Sequence, residues 1–385
     1  MNVPKARVLF VIENERFGGG ERAFSQLING LDKSRFEVYA ACLTGQPGSE
    51  AFVREISGAA RVIGLDLRRL ASFKSYFTLK KIILENKIRL IHSQGPRADF
   101  YSRLAASAAG GAAIVSTVAT PVEEYNVGFF RKAVYTALDR FGESSADRFI
   151  AVADHIARKL VCGRGLPEEK VARIYNGVDA AEFLCNPAMA AIARVEYNIP
   201  AHCFLAGAFC RLSWEKGLFH FLEAAKMIAD SGAVPAGGIK YLVAGEGPLG
   251  RELKAKVKDL GLENSFVFTG FIKDVRPLLS AAGVFVLPSF REGFPVSVLE
   301  AMTAGKPVIA SDIEGINESV ADGVNGLLVP PKNSAALAGA LAALFKDRAR
   351  AAEMGRRGRE IAVGKFGLDI MIRAHEDLYA ELVKI

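Results

Sequence analysis

Ten short apolar runs, separated by stretches of helical periodicity, constrain this chain more than any other feature of it. The first five are "RVLFVI" (7–12), "FEVYAACL" (36–43), "IRLIHS" (88–93), "AAIVST" (112–117) and "RFIAVA" (148–153). Helical periodicity lies between them, at 21–30, 72–86, 97–109 and 129–142. After a break the pattern resumes with "CFLAGAF" (203–209), "IKYLVAG" (239–245), "SFVFTG" (265–270), "VFVLPS" (284–289) and "KPVIAS" (306–311). Apolar runs this short and continuous read as strands buried on both faces. Their alternation with helices predicts parallel sheets covered on each side. Two series predict two doubly wound α/β domains, and 385 residues exceed what a single core usually serves. The break contains Gly177, Pro187 and Pro200 and no clean strand, so the expected domains are 1–185 and 186–365. Ligands of such sheets bind beyond the carboxyl ends of the strands, which predicts a cleft between the two domains.

Several function classes are disfavoured at this level. The five cysteines are scattered and form no Cys-x-x-Cys pair, which argues against a zinc site or a disulfide framework and fits a reducing cytosol. The apolar run near the start, Val8 to Ile12, is too short for a signal peptide or a membrane span, and the expected location is cytoplasmic. Net charge is +7 and concentrated in two segments, 66–89 and 346–365, with net charges of +5 and +4. Local basicity of this kind suits a polyanion or an anionic membrane face, and equally a solvated helix surface. The basic segments lack interleaved aromatic or recognition motifs, so no nucleic-acid partner is expected.

Four stretches have the residue types for chemistry on a phosphorylated substrate. "FGGGER" (17–22) joins a strand to a helix, and Gly18, Gly19 and Gly20 allow backbone N–H groups close to an anion at the helix start. The same stretch also reads as an ordinary tight turn. It lacks the full dinucleotide fingerprint. "AGEGPLGREL" repeats the arrangement in the second domain, with Gly245, Gly247 and Pro248 at the turn. "CRLSWEKGLFHFLEAA" places Arg211 and Lys216 between a strand and an amphipathic helix, where they fit a diphosphate clamp or two solvated loop charges. "SFREGFPVSVLEAM" sets Glu292 before a helix starting near residue 295 and Glu300 inside its apolar face. An ionised carboxylate there requires partners. Ligand hydroxyls, an internal arginine and a backbone amide all satisfy that requirement.

Taken in order, these stretches resemble the family 4 retaining glycosyltransferases (group 1) of GT-B fold. The resemblance rests on "GGGER" (18–22), "LIHSQGPRADFYSRLAA" (90–106), "ADRFIAVADHIARKL" (146–160), "YNGVD" (175–179), "CRLSWEKG" (210–217), "VAGEGP" (243–248), "FTGF" (268–271), "SFREGFPVSVLEAMTAGKPVIAS" (289–311) and "GVNGLLVP" (323–330). It implies two Rossmann-like domains facing across a cleft, with a C-terminal helix, 366–385, that returns to the first, acceptor-side domain. It also implies transfer of a sugar from a nucleotide-diphosphate sugar to a glycan or lipid-linked acceptor in cell-surface polysaccharide or lipopolysaccharide biosynthesis. By the same resemblance Arg211 and Lys216 bind the donor diphosphate, Glu300 holds the ribose, and Glu292 contacts the transferred sugar beside Gly293, Phe294 and Pro295. Gly245, Glu246 and Gly247 complete the donor side, and Gly18 to Gly20 approach phosphates and acceptor from the other wall. No metal or other cofactor is implied, and no protein nucleophile is demanded, so the two glutamates are not the paired carboxylates of a glycosidase.

The chain departs from the family pattern at one point. Where many relatives read Val-His-Gly it has Val118-Ala119-Thr120, which puts positioning of the sugar in doubt. His92, at the end of the preceding strand, either lines the cleft or is a satisfied structural histidine. A catalytically silent homologue that binds nucleotide, glycan or membrane is therefore the alternative, and Ala119 is the residue that argues for it. A GT-B epimerase or phosphorylase is disfavoured by the motif set. Two segments bear on a peripheral contact with the inner face of an anionic membrane. Residues 66–89 combine lysines with Phe73, Tyr76, Leu79 and Ile83 at helical spacing, which fits interfacial binding or a helix turning its apolar stripe inward. Phe129 and Phe130 are adjacent and do not easily both face inward on one helix.

Overall fold

The computed structural model describes residues 5–385 apart from 16, 69–71, 126, 233 and 236–237, and apart from the side chain at 47. Arg69, counted above in a basic segment, lies outside the described residues. The chain divides into two units, 1–177 with 368–385, and 178–367.

The first unit holds β1 (Ala6–Ile12), β2 (Phe36–Cys42), β3 (Arg61–Gly64), β4 (Leu90–Gln94), β5 (Ala113–Val118), β6 (Arg148–Ala151) and β7 (Val171–Arg173). They form one parallel sheet in the order β3-β2-β1-β4-β5-β6-β7, with Val8 paired to Val38 on one side and Leu90 on the other. The second unit holds β8 (Phe204–Phe209), β9 (Ile239–Ala244), β10 (Phe266–Gly270), β11 (Val284–Leu287), β12 (Val308–Ser311) and β13 (Gly326–Val329), in the order β10-β9-β8-β11-β12-β13. Every residue of β8, β11 and β12 is buried, as a sheet covered on both faces requires. Both units are thus doubly wound and Rossmann-like. Each sheet reverses its winding once, between β1 and β4 and between β8 and β11. The crevice at such a reversal is where doubly wound sheets bind ligands.

Each unit has its own core. In the first, Val8, Phe10 and Val38 of the sheet pack with Phe24 and Ile28 of the helix Gly19–Gly30 and with Met371 and Tyr379 of the C-terminal helix. In the second, Phe204, Val243 and Ile309 pack with Phe221, Leu253 and Leu341.

The division falls at Gly177/Val178, ahead of the expected 185/186. Residues 178–185 add no strand to the first sheet and are held by the second unit. The Val178 N–H donates to the Phe366 carbonyl at 2.9 Å, and the Cys185 thiol to the Ala304 carbonyl at 2.9 Å. The last helix, Leu368–Val383, belongs to the first unit and buries Met371, His375, Leu378, Tyr379 and Val383 there.

Candidate active site

At the reversal point of the second sheet, the loops after β8 and β11 are fastened together by backbone. The Phe290 N–H donates to the Glu215 carbonyl at 2.7 Å. Gly217 has φ +62°, and a Cβ built there would stand 2.0 Å from the Pro288 carbonyl oxygen, so no other residue permits this approach. The loop after β9 lies on the same assembly. The Leu212 N–H donates to the Glu246 carbonyl at 2.9 Å, and Gly245, at φ +136°, abuts the Cys210 carbonyl. Gly245 and Gly247 are therefore required by the protein's own neighbouring loop, a role the sequence did not show. The Glu246 carboxylate accepts a long hydrogen bond, 3.4 Å, from the Phe271 N–H.

These fixed loops bring Arg211, Lys216 and Glu292 into one region. Lys216 ends a short turn, Trp214–Lys216, and its Nζ donates to both oxygens of Glu292, at 2.7 and 2.9 Å. The Glu292 side chain is only 8% exposed and also accepts from Ser289 Oγ at 2.6 Å. Burial alone would push the Lys216 ammonium down, but the adjacent carboxylate outweighs it and holds the group above the ordinary lysine value. Burial pushes the neighbouring Cys210 thiol up to about 12, which keeps it neutral. Arg211 has a different setting. Its side chain is 57% exposed, with Nη2 donating to Glu215 Oε1 at 2.8 Å and Nε to Ser213 Oγ at 3.4 Å. Ser213 Oγ in turn donates to Glu215 Oε1 at 2.6 Å. The expected pair of cations is present, each with its own carboxylate.

Pro295 precedes the helix Val296–Thr303, and Phe294 packs its ring on Phe366 at 5.2 Å. Glu300, in the second turn, is buried and engaged within the protein. Gly315, four residues after β12 and without a motif in the sequence to mark it, lies against the backbone of Glu292 and Gly293. A Cβ at Gly315 would stand 2.2 Å from the Gly293 carbonyl oxygen, and its φ is +84°. Its signal in the sequence was only an isolated glycine after an apolar run.

In the first unit, Gly18 caps the helix Gly19–Gly30, and the Gly18 N–H is taken by the Glu21 carboxylate at 2.9 Å. Gly20 lies against the Gln94 side-chain amide at the end of β4. Ala119 is half-buried just past β5.

Of the two readings of His92, the structure bears out the structural one: the ring is fully buried, with Nδ1 against the Tyr379 hydroxyl at 2.5 Å and Nε2 against Thr117 Oγ1 at 2.6 Å. Burial, with His375 beside it, drives its pKa well below the ordinary histidine value. The C-terminal helix covers this face of β4, so the histidine is structural.

The helix Phe73–Glu85 buries Leu79, Ile82 and Ile83, but Phe73 and Phe77 are 80% and 61% exposed. Of the four residues at helical spacing, Leu79 and Ile83 are thus turned inward, Tyr76 is half-buried and Phe73 is exposed. Phe129 and Phe130, at the start of the helix Phe129–Arg140, are both exposed, at 89% and 81%. Among the described residues, no group of three or more His, Cys, Asp or Glu side chains is placed to hold a metal ion, and no helix is long and apolar enough to cross a membrane.

A family model described as Glycosyltransferase Family 4 matches residues 17–182, and one described as Glycosyl transferases group 1 matches residues 194–361. Among similar proteins is the UDP-Gal:alpha-D-GlcNAc-diphosphoundecaprenol alpha-1,3-galactosyltransferase of Escherichia coli, 26% identical over 95% of this chain and 94% of that one. Another is the lipopolysaccharide core biosynthesis glycosyltransferase LpsE of Rhizobium meliloti, 25% identical over 94% of this chain and 96% of that one. Among solved structures, Anabaena HepE in complex with UDP and glucose superposes with a TM-score of 0.84 at 22% identity, covering 98% of this chain and all of that one. WaaG, a glycosyltransferase involved in lipopolysaccharide biosynthesis, superposes with a TM-score of 0.74 at 18% identity, covering 96% of this chain and 99% of that one.

Proposed function

The chain belongs to the family 4, group 1 glycosyltransferases, with two Rossmann-like units of GT-B type, and from that premise we propose that it transfers a sugar from a nucleotide-diphosphate sugar to a glycan or lipid-linked acceptor with retention of configuration. The observation that carries this reading is the placement of Arg211, Lys216 and Glu292 on two stitched loops at the reversal point of the second sheet. A UDP-sugar is the first donor to test, because the E. coli relative is named for UDP-Gal and HepE is seen with UDP. The same relative is named for a diphosphoundecaprenol-linked substrate, which supports a lipid-linked acceptor in surface-glycan biosynthesis.

In this proposal Arg211 and Lys216 take up the negative charge that develops on the departing diphosphate. The Lys216 ammonium has three donors, so it reaches a phosphate oxygen while keeping Glu292. Glu292, held by Lys216 and Ser289, orients the sugar hydroxyls beside the backbone of Gly293, Phe294 and Pro295. Glu300 holds the ribose, and the loop Gly245, Glu246 and Gly247 borders the donor. Gly18 to Gly20 serve the acceptor side. The leaving phosphate accepts the acceptor's proton on the same face of the sugar, so no side chain acts as nucleophile and no metal or cofactor takes part. The exposed pairs Phe73/Phe77 and Phe129/Phe130, with exposed Lys74, Lys81 and Arg131 nearby in sequence, support peripheral contact with an anionic inner membrane face.

The test is incubation with UDP-sugars and an undecaprenyl-diphosphate-linked sugar, with the anomeric proton coupling of the product read by NMR. An α donor should give an α linkage, whereas a β linkage would contradict retention. Absence of product and of UDP release with every donor would favour the silent-homologue reading, for which Ala119 speaks.

A further inference from the structure

The two cations of the site differ in what an incoming anion meets. Lys216 retains a donor after pairing with Glu292. Arg211 has its Nε/Nη2 edge, one of the two forks that match a phosphate, already occupied by Ser213 Oγ and Glu215 Oε1. Glu215 is well suited to hold it. Burial raises its carboxyl, but hydrogen bonds from Ser213 and Arg211 outweigh burial and keep it below the ordinary glutamate range, hence ionised. Its main-chain carbonyl accepts from the Phe290 N–H, which ties the Glu215 backbone to the loop after β11.

We infer that Glu215 is an internal counter-ion that competes with the donor diphosphate for the Nε/Nη2 edge of Arg211 and must yield that edge when the diphosphate binds. Glu215 is thus a positioning residue that sets the orientation of Arg211 and lowers affinity for the anion. This rests on the reading of Arg211 as a diphosphate ligand. It separates the two carboxylates: Glu292 stays on its cation during binding, and Glu215 is exchanged.

The test is titration calorimetry of the full chain with UDP and with inorganic pyrophosphate at low salt. Glu215→Gln keeps a hydrogen-bond acceptor for Ser213 and Arg211 but removes the competing charge. Surface ion pairs of this kind correspond to about a two- to fivefold change in an equilibrium constant, and binding should tighten by that factor. The gain should vanish in the Arg211→Ala background. Equal or weaker binding by a Glu215→Gln variant that melts with the parent would overturn the inference, and so would a gain that persists without Arg211. Should Glu215→Gln fold poorly, Ser213→Ala, which loosens Glu215, must give a smaller gain of the same sign or the inference fails. If the parent binds neither probe, the donor-site reading falls and takes the inference with it.

Discussion

In the second unit the strand-end loops are tied to one another by main-chain hydrogen bonds and hold Arg211, Glu215, Lys216 and Glu292 in fixed pairs. In the first unit His92, in the middle of β4, is sealed under the C-terminal helix, and large aromatic side chains face outward from the flanking helices. Both units are doubly wound, so the difference lies in what each does at its edges. The second unit works by geometry: its charges are held in pairs on loops tied by backbone, the Lys216–Glu292 pair being kept and the Arg211–Glu215 pair exchanged in the binding inferred above. The exposed face of the first unit depends on no fixed geometry and would act through apolar area and charge.

The largest effect that sharpens this contrast is at the buried ion pair. Lys216→Met leaves Glu292 buried without its cation, and loss of one member of such a pair costs about 3–5 kcal/mol. Denaturant unfolding should show that loss together with loss of nucleotide binding. The double variant Lys216→Met/Glu292→Leu should recover much of the stability but none of the binding. Simple additivity of the two single losses would mean that the pair is screened by solvent.

The first unit should respond to acid. Burial holds His375 down at about 4, against about 6.5 for the free side chain, and His92 is also held well below that value. Between these values the unfolded chain binds more protons. Stability is therefore complete above pH about 6.5 and is lost as pH falls toward about 4, by about 3 kcal/mol for His375. Asp99, whose buried carboxyl is pushed up to about 6, opposes this at lower pH, because there the folded chain binds the extra proton. The slope of stability between pH 7 and 5 should flatten in His375→Leu. An unchanged slope would place the acid sensitivity elsewhere.

A smaller effect is expected where the site loops meet. Gly217→Ala must carry a methyl group at φ +62° against the Pro288 carbonyl, which costs about 1–3 kcal/mol and should lower nucleotide affinity by displacing Lys216. Full retention of both would show that the two loops move apart freely. The smallest change in stability belongs to the outward face. Phe129→Ser with Phe130→Ser should alter stability by no more than about 0.5 kcal/mol while reducing binding to vesicles containing anionic lipid. Undiminished vesicle binding would remove these two side chains from the membrane proposal.

The fold was legible because its central strands are uninterrupted apolar runs, such as Val284–Leu287, that have few other ways to be satisfied. The edge strands Arg61–Gly64 and Val171–Arg173 escaped notice because they are three or four residues long and half-exposed, without the apolar density of a buried strand. The residue types of the site could be read from motifs, but their partners could not. Lys216 and Glu292 are 76 positions apart, and the loop packing that joins them depends on backbone approach at Gly217 and Gly315. His92 was undecidable for the same reason. Its environment is set by Tyr379, 287 residues away, on a helix that joins the first unit only in three dimensions. Glu215 stands beside Lys216 in the sequence, and nothing in that stretch shows that its carboxylate turns instead to Arg211.

The central claim is that the second unit presents a diphosphate-binding pair of cations. Thermal unfolding with UDP, GDP, ADP and dTDP, with the monophosphates as controls, tests it most directly. At about a hundred times its dissociation constant a ligand adds about 2.7 kcal/mol, well within reach of a melting curve. The account predicts that one diphosphate stabilises the parent far more than its monophosphate, and that Arg211→Ala and Lys216→Ala abolish the shift. A parent whose transition no diphosphate moves would contradict it.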